Sequence, residues 1–587
     1  FSSGTDLSVR SVASNNGTPI LIVQTLTLSE DLENPLRQKL LSELGDSVNP
    51  ALIQCASSIS RLLGLKSRVK TALINCAMLP TMLKTLSYMD SALLASGLSI
   101  PLMVMKSDGG VLPRELVFKR PISCLLSGPA AAASSALHFA GINQGLFLDV
   151  GGTSTDICFI HQGKVGMRSA SVGGHRLQVE TLDLRTIALG GGSLIGRDVL
   201  GRLTLGPRSA HLAGLTYLSF TSTSFLEGGK LSVIEDKSSF LSAGASSKAK
   251  GTAYFVWEMP GVKAGFTLTD FANLLGVIPQ TDEAFARKEN LVKPFNELLK
   301  ELGIPRSIFE RKIIDEIIKK FQPVYNEYLR LFRPEKKLLR IVGGGGGVNS
   351  VLPFIAERLK VSCEIVPDYS VISAIGCALA SSTVTIKIPS ESGSAEDVEH
   401  AKELVRAEFM ELKYLPEKVH YELSFDKSAK TLTVVASVTR PYDSFAQRKS
   451  VEELKRRAEL AAGEIPMNKV FENESFVVFR SRKVRRTFVS VSYTVVLDKV
   501  GRVRFLKRDA ETIEAVGAEK MRETVARLYQ TRRAYTDAGE LSPQIYVLSP
   551  TLFYNLSSLT ESSALSALKD ETSESASYLI IFLKAEG

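Results

Sequence analysis

Short apolar runs that end in glycine or polar residues recur along the first two thirds of the chain. Such runs are typical of buried strands, whereas apolar residues spaced three and four apart predict helices. Strands are predicted at 19–24, 101–105, 145–150, 155–160, 168–189 (as a pair), 338–342 and 361–366. Helices are predicted at 30–43, 50–64 (with a cap at Asn49), 68–97 (interrupted at Pro80), 127–138, 282–333 (with a break near 303–305), 350–359 and 370–381. The stretch 206–265, rich in Ser, Gly and Thr, is predicted as β structure or loop.

The composition of the chain changes near residue 382. Residues 382–395 are rich in Ser, Thr, Pro and Gly and are predicted to form a linker. Beyond them, helical spacing and two-residue alternation both occur, so 397–587 is interpreted as an α+β domain of its own. Its predicted helices are 397–412 and 450–463, and its predicted strands are 419–425, 431–439, 476–479 and 487–497.

Composition and charge are those of an ordinary folded protein, with 44% hydrophobic and 23% charged residues. The net charge of +9 over 587 residues gives no electrostatic footprint for nucleic acid. The basic cluster at 480–486 is interpreted as a solvated strand edge or turn rather than a polyanion site. No apolar run reaches the roughly 18 residues of a membrane span, and no signal peptide is visible. The six cysteines form no C-x-x-C pair, so we expect a cytoplasmic protein without disulfides or a zinc site.

Three glycine-rich turns each follow an apolar strand: the first turn (149–156), the second turn (190–193) and the third turn (343–347). Backbone N–H groups at such turns form anion sites, because glycine lacks the Cβ that would hold a phosphate away. One glycine turn after a strand is more often only a turn, but three in one chain favour an anion site. The five glycines of the third turn could form a linker, yet the strand and helix that flank them favour a flat surface for a purine or ribose.

The first turn combines the most chemistry in one short segment. Two carboxylates, two glycines and three hydroxyl residues lie within it: Asp149, Asp156, Gly151, Gly152, Thr153, Ser154 and Thr155. The hydroxyls add hydrogen-bond donors, and the two carboxylates could hold Mg²⁺ directly or through water, since Mg²⁺ prefers carboxylate oxygens and retained waters. The local interpretation is a hairpin that binds nucleotide phosphates.

His175 is the histidine with the most functional promise, because it lies between the first and second turns. A structural polar residue in a turn is the weightier alternative for it. The other histidines show no metal-ligand spacing. The chain contains no G-x-x-x-x-G-K-[ST] motif, and the first turn leads into a strand rather than a helix, so neither a P-loop nor a Rossmann fingerprint is indicated.

Several stretches in order carry a family resemblance: Ser107–Gly110, Leu126–Ala130, Asp149–Asp156, Ala188–Ser193, Leu205–Ala210, Thr267–Asp270, Val342–Val348 and Ser373–Gly376. With these the chain resembles the hydantoinase A / 5-oxoprolinase family, within the actin, sugar-kinase and heat-shock-chaperone ATPase superfamily. The resemblance covers about residues 50–385. It implies an α/β fold with two ribonuclease-H-like lobes of the actin/sugar-kinase type, to which the C-terminal α+β domain is added.

The resemblance also implies a division of the chain. Residues 1–139 would be the remainder of an N-terminal lobe with connecting helices, 140–385 a nucleotide-binding lobe, and 386–587 the C-terminal domain. ATP would lie between the lobes, with the first turn as the second phosphate loop and the third turn at the adenosine. The family has an earlier phosphate loop near its N-terminus, and no equivalent of that loop is recognisable in this chain before residue 100. Either that upstream part is absent from this chain, which begins with Phe1, or the protein lacks the loop.

The implied function is that of an ATP-dependent hydrolase or carboxylase subunit, which activates a cyclic amide, hydantoin or related carbonyl substrate by phosphoryl transfer. ATP and Mg²⁺ are the implied cofactors, and a hydantoinase-B-like second subunit or a homo-oligomer is the implied partner. A regulatory ATP-binding subunit that acts through a partner is the alternative, and a sugar or small-acid kinase is a weaker third. The predicted catalytic residues are Asp149, Asp156 and His175, the first two also as metal ligands. The predicted nucleotide contacts are Gly151, Gly152, Thr153, Ser154, Thr155, Gly190, Gly191, Gly192, Gly343, Gly344, Gly345, Gly346 and Gly347.

Overall fold

The structure is a computed structural model, and it confirms a mixed α/β protein built from several sheets. The residues that it describes are 19–23, 33–45, 48–60, 62, 64–140, 142, 144–161, 164–235, 252–334, 339–411, 419–426, 429–438, 448–486, 489–532, 534–536, 539–541, 543–557 and 559–583. Among the helices of these ranges, none combines the length and apolarity that crossing a bilayer requires.

A six-stranded central sheet carries the first and third turns. Its strands, in spatial order, are Leu184–Ile187, Thr155–His161, Gln144–Val150, Leu339–Gly344 and Ser362–Ile365, with Lys164–Val165 paired to the second of them. Both faces of the sheet are buried, because Leu146 and Leu148 enter one apolar core while Phe147 enters another. Burial on both faces explains why these strands appear in the sequence as continuous apolar runs.

Helices cover both faces of the central sheet. Ser127–Ala140 and Ile372–Leu379 pack together on the face to which Phe147 points. The opposite core takes side chains from the helices Leu268–Leu274, Lys288–Leu302, Arg306–Phe332 and Leu352–Leu359. The break predicted near 303–305 is confirmed, since Gly303 ends one helix at a left-handed φ of 61° and Pro305 precedes the next.

A second six-stranded sheet occupies the region predicted as β structure or loop. Its strands are Leu203–Ser209, Ser193–Arg197, Ala253–Met259, Val262–Gly265 and Thr216–Tyr217 in spatial order, with Lys230–Glu235 paired to Ala253–Met259. The short helix Thr223–Gly228 lies beside it. This sheet shares one apolar core with the central sheet through residues such as Ile195 and Phe255, so the second turn is held between the two sheets.

The N-terminal region departs from two predictions. Residues 50–64 do not form one helix: Pro50–Leu52 is a 3₁₀ turn capped by Asn49, Ile53–Cys55 is a strand paired with Ile20–Ile22, and Ala56–Ile59 is a short helix. The helix Leu65–Ala95 runs unbroken through Pro80. Pro80 is exposed, so its ring lies on the solvent side of the helix. The remaining elements here are the helices Glu33–Leu44 and Arg114–Lys119 and the hairpin Met167–Val172 and His175–Leu182.

The prediction of a linker at 382–395 is wrong. Ser382–Pro389 is a strand whose eight residues all pair with Thr431–Val438. Its Val384, Ile386 and Ile388 are buried in alternation with Thr and Lys, a two-residue period that the Ser/Thr-rich composition hid. The full sheet, in order, is Val419–Asp426, Thr431–Val438, Ser382–Pro389, Val111–Pro113 and Met103–Met105. The division at 385/386 stays a prediction, and one strand runs through that point.

The last third of the chain contains helices and antiparallel strands, as predicted. One four-stranded sheet has the order Met467–Glu472, Phe476–Ser481, Tyr493–Asp498 and Val503–Arg508, and another Glu511–Val516, Ser577–Leu583, Gln544–Leu548 and Phe553–Asn555. The short pairs are Val484–Arg486 with Val489–Val491 and Ala534–Thr536 with Gly539–Leu541. The helices are Ala395–Glu411, Val451–Ala461, Ala518–Thr531 and Glu561–Ala567.

Candidate functional site

The three glycine turns leave one edge of the central sheet. The strand Gln144–Val150, which precedes the first turn, runs parallel to Leu339–Gly344, which leads into the third. The strand Leu184–Ile187, which precedes the second turn, is antiparallel to Thr155–His161, and that strand is antiparallel to Gln144–Val150. All three turns therefore follow the carboxyl ends of strands that point the same way, which is where open α/β sheets bind ligands.

The second turn is hydrogen-bonded to the first. The Gly191 N–H group donates to the carbonyl oxygen of Gly151 at 3.0 Å, and that of Gly192 donates to Gly152 at 2.7 Å. A β-carbon at Gly192 would lie 2.8 Å from the Gly152 carbonyl oxygen, closer than real β-carbons approach. Glycine is therefore required at Gly192 for the approach of two backbones.

The third turn is bonded to the first in the same way. The Gly347 N–H group donates to the carbonyl oxygen of Val150 at 2.8 Å. A β-carbon at Gly347 would lie 2.7 Å from the carbonyl oxygen of Gly151. Gly345 has a φ of +87°, and its Cα faces the carboxylate of Asp149. The structure thus brings the predicted turns into one hydrogen-bonded cluster.

These bonds decide which amides can still meet an anion. The N–H groups of six turn glycines already have acceptors within the protein: Gly151, Gly190, Gly191, Gly192, Gly345 and Gly347. Among the described residues, the N–H groups of four others have no acceptor: Gly152, Thr153, Ser154 and Gly346. Gly152 and Gly346 are exposed. The available donors therefore lie at the tips of the first and third turns, and a direct contact of Gly190, Gly191 and Gly192 with nucleotide stays a prediction.

The hydroxyl groups of the first turn are partly used inside the protein. The Thr155 hydroxyl is buried and donates to the carbonyl oxygen of Leu189 at 2.6 Å, which fastens the first turn to the second. The Thr153 and Ser209 hydroxyl oxygens are 3.1 Å apart. The Thr155 side chain therefore joins the two turns, and nucleotide contacts of Thr153, Ser154 and Thr155 stay predictions.

Asp149 and Asp156 lie directly opposite each other across the hairpin of the central sheet. Burial, with a second contribution from the charge of Asp156, raises the pKa of Asp149 to about 6. Burial also raises the pKa of Asp156, while a 2.5 Å hydrogen bond from the Thr186 hydroxyl opposes the rise. Opposed like charges destabilise a strand pair.

The donor set at these carboxylates fits Mg²⁺. Asp149 has no hydrogen-bond donor to its carboxylate among the described residues, so its oxygens are available. Within the same residues, no cluster of three or more His, Cys, Asp or Glu side chains suits a metal ion. Two carboxylates next to N–H groups that have no acceptor among the described residues match the usual Mg²⁺ arrangement, in which water and ligand oxygens supply the other contacts.

No contact of His175 with the three glycine turns is found among the described residues. It stands at the tip of the hairpin Met167–Val172 and His175–Leu182, is exposed, and its Nδ1 is 3.0 Å from the Lys70 Nζ atom. The strands of that hairpin pair only with each other among the described residues. A catalytic role for His175 stays a prediction without geometric support.

Sequence reasoning missed a buried polar network that anchors the third turn. The Asp282 carboxylate accepts hydrogen bonds from the Asn349 amide at 2.6 Å and the Tyr369 hydroxyl at 2.8 Å. The carbonyl oxygen of Tyr369 accepts the Gly345 N–H group at 2.8 Å. Burial, helped by the bond to Asp282, raises the pKa of Tyr369 to about 12. Only the position of Asn349 two residues after the third turn could have signalled this network, because Asp282 is distant in sequence.

A family model matches a continuous stretch of the chain. The model of the family described as Hydantoinase/oxoprolinase matches residues 68–386. That range is a little over half of the 587 residues and contains all three turns.

Curated relatives match over stretches of different length. An uncharacterized protein of Schizosaccharomyces pombe, C11D3.14c, is 28% identical over 396 residues, which is 64% of this chain and 28% of that protein. Caprolactamase subunit alpha of Pseudomonas jessenii is 30% identical over 148 residues, 24% of this chain and 21% of that protein. 5-Oxoprolinase 1 of Arabidopsis thaliana is 26% identical over 195 residues, 31% of this chain and 14% of that protein. The chain therefore spans less than a third of the length of each of these relatives.

Two solved structures are also similar. Acetone carboxylase, an enzyme of ATP-dependent acetone carboxylation, has in its nucleotide-free structure a TM-score of 0.48 and 16% identity over 74% of this chain and 66% of its own. The ATP-dependent caprolactamase from Pseudomonas jessenii has a TM-score of 0.46 and 19% identity over 70% of this chain and 64% of its own. These scores are too low to establish a shared fold, so the two ribonuclease-H-like lobes stay a prediction.

Proposed function

We infer, since this chain belongs to the hydantoinase/oxoprolinase family, that it binds ATP with Mg²⁺ where the three glycine turns meet. We propose that it uses the ATP to activate the carbonyl oxygen of a cyclic amide, a hydantoin or a related compound. One observation carries the proposal: three turns are hydrogen-bonded together around N–H groups that have no acceptor among the described residues, with two half-buried carboxylates beside them. The names of the relatives, caprolactamase and 5-oxoprolinase, support a cyclic amide as the substrate class.

The proposed reaction is a phosphoryl transfer. The bond between the γ-phosphorus and the β,γ-bridging oxygen breaks, a bond from that phosphorus to the substrate oxygen forms, and ADP leaves. In a hydrolase, water then adds to the activated carbon, inorganic phosphate leaves as the carbonyl forms again, and the ring C–N bond breaks with a proton going to the nitrogen. In a carboxylase, the phosphorylated substrate forms a C–C bond to carbon dioxide, and its phosphoryl group is released to water as inorganic phosphate. Such transfers depend mainly on positioning and charge neutralisation, so the fixed amides of Gly152, Thr153 and Gly346 suit the task.

The carboxylates have a defined part in this proposal. Asp149 and Asp156 would hold Mg²⁺ through their oxygens or through retained water, and the ion would supply neutralisation of the phosphate charge. The protein contributes the position of both groups, which face each other across a strand pair. The network of Asp282, Asn349 and Tyr369 would keep the third turn in place for the nucleoside.

A second candidate is a non-catalytic ATP-binding subunit that acts through a partner. It is favoured by the relative named as subunit alpha and by the small share of each relative that this chain spans. In this proposal, a hydantoinase-B-like second subunit or a second copy of the chain would bind this subunit. We also propose a cytoplasmic location, where ATP is present. Steady release of ADP and product from a cyclic amide by the purified chain supports the enzyme, whereas ATP-dependent association without turnover supports the second candidate.

The binding proposal is tested by titration calorimetry with Mg²⁺ and AMP-PNP, an ATP analogue that resists hydrolysis. Asp149→Asn keeps the size of the side chain and removes its charge, so we expect affinity to fall by about tenfold or more, as for a lost charged contact. Asp315→Asn, at a carboxylate paired with Arg358 on exposed helices, is the matched control and should bind as the wild type does. Equal affinity of Asp149→Asn and wild type would contradict the site.

A further inference from the structure

The side chain of Tyr217 lies against the first and second turns. A β-carbon at Gly192 would overlap the Tyr217 hydroxyl oxygen, and one at Gly152 would lie 3.3 Å from it. The phenol oxygen is therefore placed over both backbones at the point where the second turn bonds to the first. Gly152 is also one of the residues whose N–H group has no acceptor among the described residues.

The surrounding structure fixes this position. Tyr217 pairs with Gly265 in the second sheet, and its ring centroid is 5.0 Å from that of Phe220. Ala210, which packs in the same small apolar cluster as Tyr217, also contacts the second turn. Its N–H group donates to the Gly192 carbonyl oxygen at 2.8 Å. The hydroxyl group thus reaches the turn on a rigid support rather than on a free loop.

The Tyr217 hydroxyl is available as a donor. Within the described part of the chain it has no hydrogen-bond partner, although the side chain is half-buried. Burial, with a further contribution from the charge of Asp270, raises the pKa of Tyr217, so the group is protonated at neutral pH. If the side chain served only to pack on the turn, phenylalanine would do so equally well without a hydroxyl group.

We propose that the Tyr217 hydroxyl donates a hydrogen bond to the phosphoryl oxygen that the N–H groups of Gly152 and Thr153 hold. The inference rests on the proposed function and adds a contact from the second sheet to the nucleotide. The contact breaks and forms no covalent bond. It would make Tyr217 a side chain that recognises the nucleotide and stabilises charge on its phosphate.

The test compares Tyr217→Phe with wild type in calorimetric titrations of Mg²⁺ with AMP-PNP and, separately, with ADP. The variant keeps the ring against Phe220 and removes only the oxygen. We expect its affinity to fall by about tenfold for at least one nucleotide, the size of a lost hydrogen bond to a charged group. A loss for both nucleotides places the contact on the β-phosphoryl group, and a loss for AMP-PNP alone places it on the γ-phosphoryl group.

Two controls make the result specific. Tyr88→Phe changes a tyrosine that is 65% exposed on the helix Leu65–Ala95 and should bind both nucleotides as wild type. ³¹P spectra of bound AMP-PNP supply a second measurement, in which Tyr217→Phe should shift a phosphorus resonance. Unchanged affinities and unchanged spectra, with wild-type binding that depends on Asp149, would overturn the role of Tyr217 alone. No binding by wild type would overturn the proposed function and this inference with it.

Discussion

Asp149 and Asp156 illustrate how one pair of residues sets the electrostatics of the site. They face each other across a hairpin, and partial burial weakens the screening of their charges by water. The pKa of Asp149 is about 6 in the folded protein, against roughly 3.9 for an unperturbed Asp in an unfolded chain. The folded state therefore binds this proton more tightly than the unfolded state, and losing it costs stability.

The first prediction concerns stability and pH without metal. The stabilising effect of the Asp149 proton is complete below about pH 4 and is lost as the pH rises through about 6. Asp149→Asn removes this contribution, so its thermal midpoint relative to wild type should rise between pH 4 and 7 and then level off. Differential scanning calorimetry measures it. A difference between the two proteins that stays constant over this range would contradict the raised pKa.

The second prediction concerns binding and pH. Mg²⁺ binds the deprotonated carboxylate, so the affinity for Mg²⁺ with AMP-PNP should increase as the pH rises through about 6. Calorimetry between pH 5 and 8 should show this increase in wild type and a flatter profile in Asp149→Asn. Equal slopes in the two proteins would assign the pH dependence to other groups.

At the scale of elements, the third turn offers a matched pair of glycines. Gly347→Ala would press a methyl group against the Gly151 carbonyl oxygen at 2.7 Å, whereas Gly346→Ala meets nothing within 4 Å. We expect Gly347→Ala to lose about 1–3 kcal/mol of stability, as overpacked sites do, and to weaken nucleotide binding. Gly346→Ala should unfold at the wild-type temperature. Thermal unfolding of both variants decides this, and equal midpoints would contradict the contact between the turns.

Much of the site at this scale could be predicted from the sequence. Each turn follows an apolar run that proved to be a strand, and strands that run the same way end at one edge, so convergence follows from the fold. The bonding within the cluster could not be predicted, because the acceptor of Gly191 or Gly347 depends on distances between segments far apart in the chain. The same applies to Tyr217, which lies within the stretch 206–265, where the sequence shows no clear periodicity.

The 382–395 stretch shows where composition misled. Serine and threonine suggested a linker, but Val384, Ile386 and Ile388 alternate with them and face a core shared with the helix Ala395–Glu411. Alternation over a short strand is a weak signal beside so many polar residues. Its partner strand Thr431–Val438 lies more than forty residues further along the chain, so no short hairpin turn in the sequence indicated this strand pair.

At the scale of the whole molecule, the strand Ser382–Pro389 joins regions that the sequence suggested were separate. It pairs with Thr431–Val438 on one side and meets Val111 on the other, and Arg120 forms an ion pair of 3.0 Å with Glu408. The region after residue 386 is therefore packed against the N-terminal region rather than attached by a flexible segment.

An insertion tests this connection. Six Gly/Ser residues placed between Ile386 and Lys387 should lower the thermal midpoint by about 5 °C or more, because half of the strand loses its register. The same insertion between Gly173 and Gly174, at an exposed hairpin tip with open space around both glycines, should have little effect. Equal midpoints for the two insertions would favour the linker interpretation.

The central claim is that the tips of the first and third turns hold the phosphates of Mg²⁺-bound ATP. Hydrogen–deuterium exchange with and without saturating Mg²⁺ and AMP-PNP tests it most directly, because the N–H groups of Gly152, Thr153, Ser154 and Gly346 have no acceptor among the described residues. We expect slower exchange in peptides that cover 150–155 and 345–348, and no change at the His175 hairpin. Unchanged exchange in both turn peptides at saturating nucleotide would contradict it.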